Sequence, residues 1–165
     1  MQHLWSPWRM SYLQSNPTAG ASGCIFCDMP ADPRDAETLI VRRGAHAYVI
    51  LNRYPYNNGH FMVVPYPHVD SPERLEAATL TELMTLLNQG LTALRAMYNP
   101  QAFNIGMNVG AAAGAGIAEH VHLHAVPRWA GDTNFMTVAA GTRVIPEDLR
   151  ITWERMRAAW PGGSL

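Results

Sequence analysis

Near its C-terminal end the chain runs Glu119-His120-Val121-His122-Leu123-His124-Ala125-Val126-Pro127-Arg128-Trp129, three histidines alternating with apolar residues. In a strand, side chains two apart share a face, so the imidazoles would line one side and Val121, Leu123 and Ala125 the other. Two chemistries suit such a row: a His-x-His metal site, or a nucleophile flanked by helpers. A lone histidine is most simply a satisfied core or surface residue, but three on one face argue for a site. The preceding stretch, from Asn108 through Gly110, Gly114, Ala115 and Gly116 to Ile117, nearly lacks side chains. Such a loop lets backbone N–H groups come close to an anion. It is not a Walker loop, because no Gly-Lys-Ser/Thr follows, and not a dinucleotide fingerprint, because a strand rather than a helix follows. Beside a histidine row, a phosphate cradle is the better reading. His122 then becomes the nucleophile, since a neutral imidazole nitrogen can attack phosphorus. His120 and His124 would stand about 7 Å to either side by strand rise, to orient it or to contact phosphate oxygens. The displacement would divide into nucleotidylation of His122 and transfer to an acceptor.

The only cysteines, Cys24 and Cys27, sit in one Cys-Ile-Phe-Cys unit. They are too few for a secreted disulfide scaffold, and the unit is open between zinc and thiol redox chemistry. A thioredoxin-like pair belongs where a strand enters a helix, and no such pattern surrounds it. A tetrahedral zinc needs two more ligands, which His68 and His120 could supply; spacing alone does not pair the four.

The elements that must position these groups are legible in outline. Residues 14–36, rich in Pro, Gly, Ser and Asp, place the cysteines on a loop or short turn. Ala47-Tyr48-Val49-Ile50-Leu51 and His60-Phe61-Met62-Val63-Val64-Pro65 read as strands joined by the turn-rich Asn52 to Gly59, a hairpin with a long connection. Ser71-Pro72-Glu73 and the capping-box pattern Thr79-Leu80-Thr81-Glu82 mark a helix start, and Asn99-Pro100 its end. Leu80, Leu83, Met84, Leu87, Leu91 and Leu94 recur at helical spacing and predict a core-facing stripe. Phe103 to Val109 alternates as a strand, and Pro146-Glu147-Asp148 opens a last helix, about 146–160, with Leu149, Trp153, Met156 and Trp160 inward. Strands joined by turns, with one long and one terminal helix, give an α+β domain with a mostly antiparallel sheet.

Composition sets the outer bounds. With 165 residues, 48% of them apolar, the chain suits one domain, 1–165, with a core about 24–135 and an N-terminal segment 1–23. Lys plus Arg number 12 against 13 Asp plus Glu, without the basic excess that a long nucleic acid needs. No apolar run is long enough to span a membrane, and Met1 to Trp5 is unlike a signal peptide, so a cytoplasmic protein is expected. Trp5 and Trp8 in the N-terminal segment, like the pair Arg128-Trp129, either stack on a base or pack into the core, with packing favoured.

His120-Val121-His122-Leu123-His124-Ala125-Val126 resembles the signature of the histidine triad (HIT) superfamily, His-φ-His-φ-His-φ-φ with φ apolar. Asn52 with its turn, Gly59 to Pro65, and Asn104 to Gly110 are similar to the family's hairpin and to its strand before the triad. Pro127-Arg128-Trp129 with Gly131-Asp132-Thr133-Asn134-Phe135 resembles the branch of diadenosine tetraphosphate phosphorylases and bacterial HIT hydrolases. The resemblance implies a five-stranded antiparallel sheet with two main helices, a homodimer, and a nucleoside phosphate substrate. It makes His122 the nucleophile, places His124 and His60 against substrate, Asn52 at the ribose, and Asn108 with the backbone of Gly114, Ala115 and Gly116 at the phosphates. In zinc-bearing members, the ligand positions fall on Cys24, Cys27, His68 and His120. One departure stands out: many members carry Gln or Ser where this chain has Gly116, which leaves only backbone N–H there and keeps the acceptor, water or inorganic phosphate, open. The sugar-nucleotide transferase pattern, a two-histidine motif followed by Gln, is not matched at Leu123-His124. Three readings follow: an enzyme cleaving phosphoanhydrides of the dinucleoside polyphosphate type through His122; a non-catalytic nucleotide-sensing or partner-binding module with structural zinc; and a zinc enzyme that uses all three histidines as ligands.

Overall fold

Five runs rich in β-branched and aromatic residues pair into one sheet in the computed structural model, which describes residues 23–132 and 147–162. They are β1 (Ile40–Arg43), β2 (Ala47–Leu51), β3 (Phe61–Pro65), β4 (Ala102–Met107) and β5 (Leu123–Arg128). The spatial order is β1-β2-β3-β5-β4 with every pairing antiparallel. β1 has no counterpart in the sequence reading, although Leu39-Ile40-Val41 is a β-branched run; at four residues before Gly44 it is too short to show a period. The N-terminal Trp5 and Trp8, residues Thr133 to Phe135 and Pro146 lie outside the described residues.

Among the described residues, four α-helices accompany the sheet: the one-turn α1 (Ile25–Asp28) and α2 (Asp35–Thr38), the long α3 (Ala77–Tyr98), and α4 (Leu149–Ala158). The cysteines therefore flank a helical turn instead of lying on a plain loop, Cys24 preceding α1 and Cys27 within it. α3 ends where Asn99 takes a left-handed conformation at φ 47° ahead of Pro100, which cannot continue a helix.

The buried face of α3 keeps Leu83, Leu87 and Leu94 of the leucine stripe that spacing suggests, but it is rotated away from Leu80 and Met84. Thr79, Leu83, Leu86, Leu87, Gly90, Ala93 and Leu94 are buried, whereas Leu80 and Met84 are exposed. The deciding contact is at Gly90: a Cβ there would overlap the ring of Phe61 on β3, so the helix lies against the sheet only because that position carries no side chain. Phe61 in turn pairs with Ala125 on β5. Residues directly opposite share a face, so Phe61 and Ala125 sit under α3, and Met62, His124 and Gly106, paired in the next register, face away from it.

The capping-box pattern also resolves differently. α3 starts at Ala77 after a separate 3₁₀ turn over Pro72–Arg74, which places Thr79 inside the helix. Glu82 leaves its own helix terminus and accepts the backbone N–H groups of Ala45, His46 and Ala47 at 2.9, 2.5 and 2.8 Å. Burial works to raise the Glu82 pKa, but the three N–H donors and nearby His46 hold it below the ordinary carboxylate range. α4 is capped by Asp148, whose carboxylate accepts from Arg150 N–H at 2.7 Å. It docks on β1 through Trp153, whose indole N–H donates to the Ile40 carbonyl at 2.7 Å. Met156 is fully buried and Trp160 nearly so.

Candidate active site and metal centre

The histidine row does not stay a row. β5 begins at Leu123, so His124 is a strand residue and His120 and His122 precede it. The Val121 N–H is bonded to the Val69 carbonyl at 2.7 Å, outside the β5 ladders. Freed from strict alternation, the side chains divide. His122 and His124 stay together with ring centroids 4.7 Å apart, closer than strand rise alone gives, while His120 turns to the cysteines.

His120 uses both ring nitrogens there. Its Nε2–H donates to the Pro65 carbonyl at 2.8 Å, which leaves the Nδ1 lone pair aimed at Cys24 Sγ, 3.4 Å away, and Cys27 Sγ, 3.6 Å away. His68 Nδ1 lies 3.3 Å from Cys27 Sγ. The four donor atoms fall within 4.8 Å of one another, with Cys24 and His120 buried and His68 exposed. Zinc bond lengths put tetrahedral ligand atoms about 3.3–3.8 Å apart; the three His–Cys distances fall in that range, so the chemistry and spacing of this Cys2His2 donor set could hold zinc. A carbonyl on the far nitrogen of a ligating histidine is the usual means of fixing its ring. His120, assigned in the sequence both to catalysis and to metal, thus has its ring turned to Cys24 and Cys27.

His120 still reaches the chemistry through its backbone. Its carbonyl accepts the Nδ1–H of His122 at 2.8 Å. With the proton on Nδ1, Nε2 of His122 carries the lone pair, which is the form able to attack an electrophile. His122 is buried, and that burial lowers its pKa, against the opposing effect of the carbonyl bond.

A second chain of bonds fixes the other histidines. The Tyr56 N–H donates to His60 Nδ1 at 3.1 Å, so His60 is protonated on Nε2 and donates to His124 Nδ1 at 2.9 Å. His124 is left with its proton on Nε2, a donor with no intramolecular acceptor in this relay. Burial first, then the neighbouring His124 and His122, push the His60 pKa down to about 3; burial and His122 push His124 to about 4. Both rings therefore stay neutral near pH 7, which the relay requires. The Tyr56 ring stacks on His60 at 4.9 Å.

Asn52, expected at the ribose, closes the hairpin instead of standing free: its Oδ1 accepts the Tyr54 N–H at 3.0 Å and its Nδ2 lies 3.3 Å from His60 Nδ1. Met107 pairs with Leu123, so Asn108, one residue past β4, runs beside His122. The loop that follows turns at Gly110 and Gly114, with φ 81° and 88°, around the 3₁₀ turn Ala111–Ala113. Those angles are accessible to glycine at little cost, and they leave Ala115 and Gly116 leading back toward His120. Two contributors had no distinguishing sequence signal. Phe26, between the cysteines, packs against both His120 and His122. Asn57 donates to the Pro127 carbonyl and to Asp132 at 3.0 and 2.9 Å, tying the hairpin turn to the end of β5.

Known proteins resemble this chain closely. The HIT domain family model matches residues 34–131. An AP-4-A phosphorylase of Mycobacterium tuberculosis (strain ATCC 25618 / H37Rv) is 42% identical over 166 residues, 97% of this chain and 85% of that protein. A Zn-bound histidine triad family protein from Mycobacterium smegmatis superposes with a TM-score of 0.68 at 26% identity, covering 85% of this chain and 94% of that one. A histidine triad nucleotide-binding protein from Sulfolobus tokodaii gives a TM-score of 0.67 at 25% identity, with 82% and 91% covered.

Proposed function

This chain belongs to the HIT domain family, and on that premise we propose that it is a phosphorylase of dinucleoside polyphosphates working through a nucleotidylated His122. The observation that carries the reading is the pair of fixed tautomers: His122 presents a lone pair on Nε2, and His124 presents a proton on Nε2, on neighbouring rings. The 42% identical relative named AP-4-A phosphorylase supports the substrate class and the phosphate acceptor.

In this mechanism Asn108 and the backbone from Gly114 to Gly116 hold the α-phosphate at the start of β5, beside His122. His122 Nε2 attacks the α-phosphorus, an Nε2–P bond forms, and the P–O bond to the bridging oxygen breaks. His124 Nε2–H hydrogen-bonds the departing oxygen and offsets its developing charge. His60 and Asn52 line the nucleoside side and keep His124 in its donor tautomer. In the second step an oxygen of inorganic phosphate attacks the same phosphorus and restores His122. With diadenosine tetraphosphate the products are ATP and then ADP.

Zinc, when bound by Cys24, Cys27, His68 and His120, supplies a structural cross-link. Chemistry proceeds on His122, which is not among its ligands. We read the domain as 1–165, acting as a cytoplasmic homodimer on a nucleoside phosphate, and no helix among the described residues is long and apolar enough to cross a membrane.

The test is incubation with diadenosine tetraphosphate with and without inorganic phosphate. ATP plus ADP, formed only when phosphate is present, is the expected result. ATP plus AMP at the same rate without phosphate would make it a hydrolase. Tight binding without cleavage would make it a sensing module.

A further inference from the structure

Phe26 is the inward residue of the cysteine turn, 3% exposed, in a unit whose two cysteines face the metal ligands. Its ring lies 4.8 Å from the His122 ring, tilted by 49°, and 5.5 Å from the His120 ring, edge-on at 71°. Its backbone is held as well: the Phe26 carbonyl accepts the hydroxyl of Tyr48, a fully buried residue of β2, at 2.8 Å. A phenyl ring has no proton or lone pair to offer a phosphoanhydride, so any part it plays must be through another group.

That group is His122. The second side-chain torsion of histidine is a broad, roughly two-fold well, and one hydrogen bond from Nδ1 tolerates a range of lengths and angles, so by itself it restrains the plane of the ring only loosely. In-line attack depends on that plane, because the lone pair on Nε2 lies in it, and a small misplacement of a reacting atom is costly. Two restraints on His122 come from the residues around the Cys/His cluster: the His120 carbonyl holds Nδ1, and Phe26 closes on the ring beside the His124 contact. Resting on the reading that His122 is the nucleophile, we propose that Phe26 is a positioning residue for His122, seated by the Cys24–Cys27 turn so that its ring fixes the plane of the attacking imidazole.

The experiment compares zinc-loaded wild type, Phe26→Ala and Phe26→Leu by zinc content, melting temperature, kcat and KM on diadenosine tetraphosphate, and ¹⁵N shifts of the His122 ring. Phe26→Ala is expected to lower kcat about tenfold with KM within about twofold, a size in keeping with one aromatic pair plus its packing. Zinc should stay at the wild-type ratio, and the His122 nitrogens should move from a single Nδ1–H tautomer toward averaged values. Phe26→Leu, which keeps apolar bulk but not the flat ring, should fall between, and it serves alone if the alanine variant does not fold. Wild-type kcat in the variants, or a kcat loss accompanied by zinc loss or by unchanged His122 signals, would overturn the proposal. If wild type forms no nucleotidyl-histidine, it is the nucleophile reading that fails, and the ring signals still decide whether Phe26 orients His122.

Discussion

The backbone oxygen of His120 lies 2.8 Å from Nδ1 of His122, so one residue of the motif holds another in its Nδ1–H tautomer while its own ring faces the cysteines. His122→Ala removes the nucleophile and leaves the loop and the His60–His124 pair in place. Turnover should fall below about 1% of wild type, as for loss of a covalent nucleophile, with nucleotide affinity changed less than about threefold. Single-turnover assays and calorimetry on the same preparation check both, and activity above a few per cent would remove His122 from its role.

His60 and His124 fold as neutral rings, with pKa values of about 3 and about 4, against an ordinary value of 6.5. The unfolded chain takes up protons near its ordinary pKa, and the folded chain does so only below it. Their contribution to stability is therefore complete above about pH 6.5 and declines as the pH falls toward 4, by about 3 kcal/mol for His60 alone. Denaturant titrations across that range should show the decline, and His60→Gln should flatten it. Equal slopes for the two proteins would contradict the buried neutral pair.

Loss of the metal cross-link should appear in stability. The centre ties α1 to the segment after β3 and to the residue before Val121, three regions distant in sequence. Purified protein should carry one zinc per chain. Chelation or Cys27→Ser should lower the melting temperature by about 10 °C, corresponding to about 3 kcal/mol at this size. A metal-free protein with an unchanged melting temperature would show that the four residues are not a structural centre.

Gly90→Ala sets two effects against each other. Alanine favours a helix interior over glycine by about 1 kcal/mol, but the added Cβ would overlap the Phe61 ring, and overpacking costs about 1–3 kcal/mol. Phe61 is fully buried and paired with Ala125, so it has little room to retreat, and net destabilisation of about 1–2 kcal/mol is expected. Urea denaturation measures it; a stabilised variant would mean that α3 can slide on the sheet.

Much of this was legible in the chain. The α+β class, the β2–β3 hairpin, the strand before the glycine loop and both long helices follow from period and punctuation, because local sequence sets local backbone. The residues that the structure gathers into one cluster were legible as candidates, since histidines at alternate positions beside a side-chain-poor loop, with one Cys-x-x-Cys unit, are rare in combination. What misled was periodicity used as a proxy for contact. The leucine spacing of α3 could not reveal that Gly90 and Thr79 face the core, and Thr79-x-x-Glu82 has the form of a cap although Glu82 anchors the turn before β2.

Residue type and spacing on their own gave three imidazoles at alternate positions, one Cys-x-x-Cys unit and a side-chain-poor loop, and the resemblance these carry to the histidine triad family implied the fold. Only the tertiary structure decided how the imidazoles divide. The division depends on hydrogen bonds from groups distant in sequence: the Pro65 carbonyl on His120, the Tyr56 N–H on His60, and His60 on His124. Those bonds fix which nitrogen of each ring carries the proton. A neutral imidazole is donor on one side and acceptor on the other, and nothing in its own sequence says which.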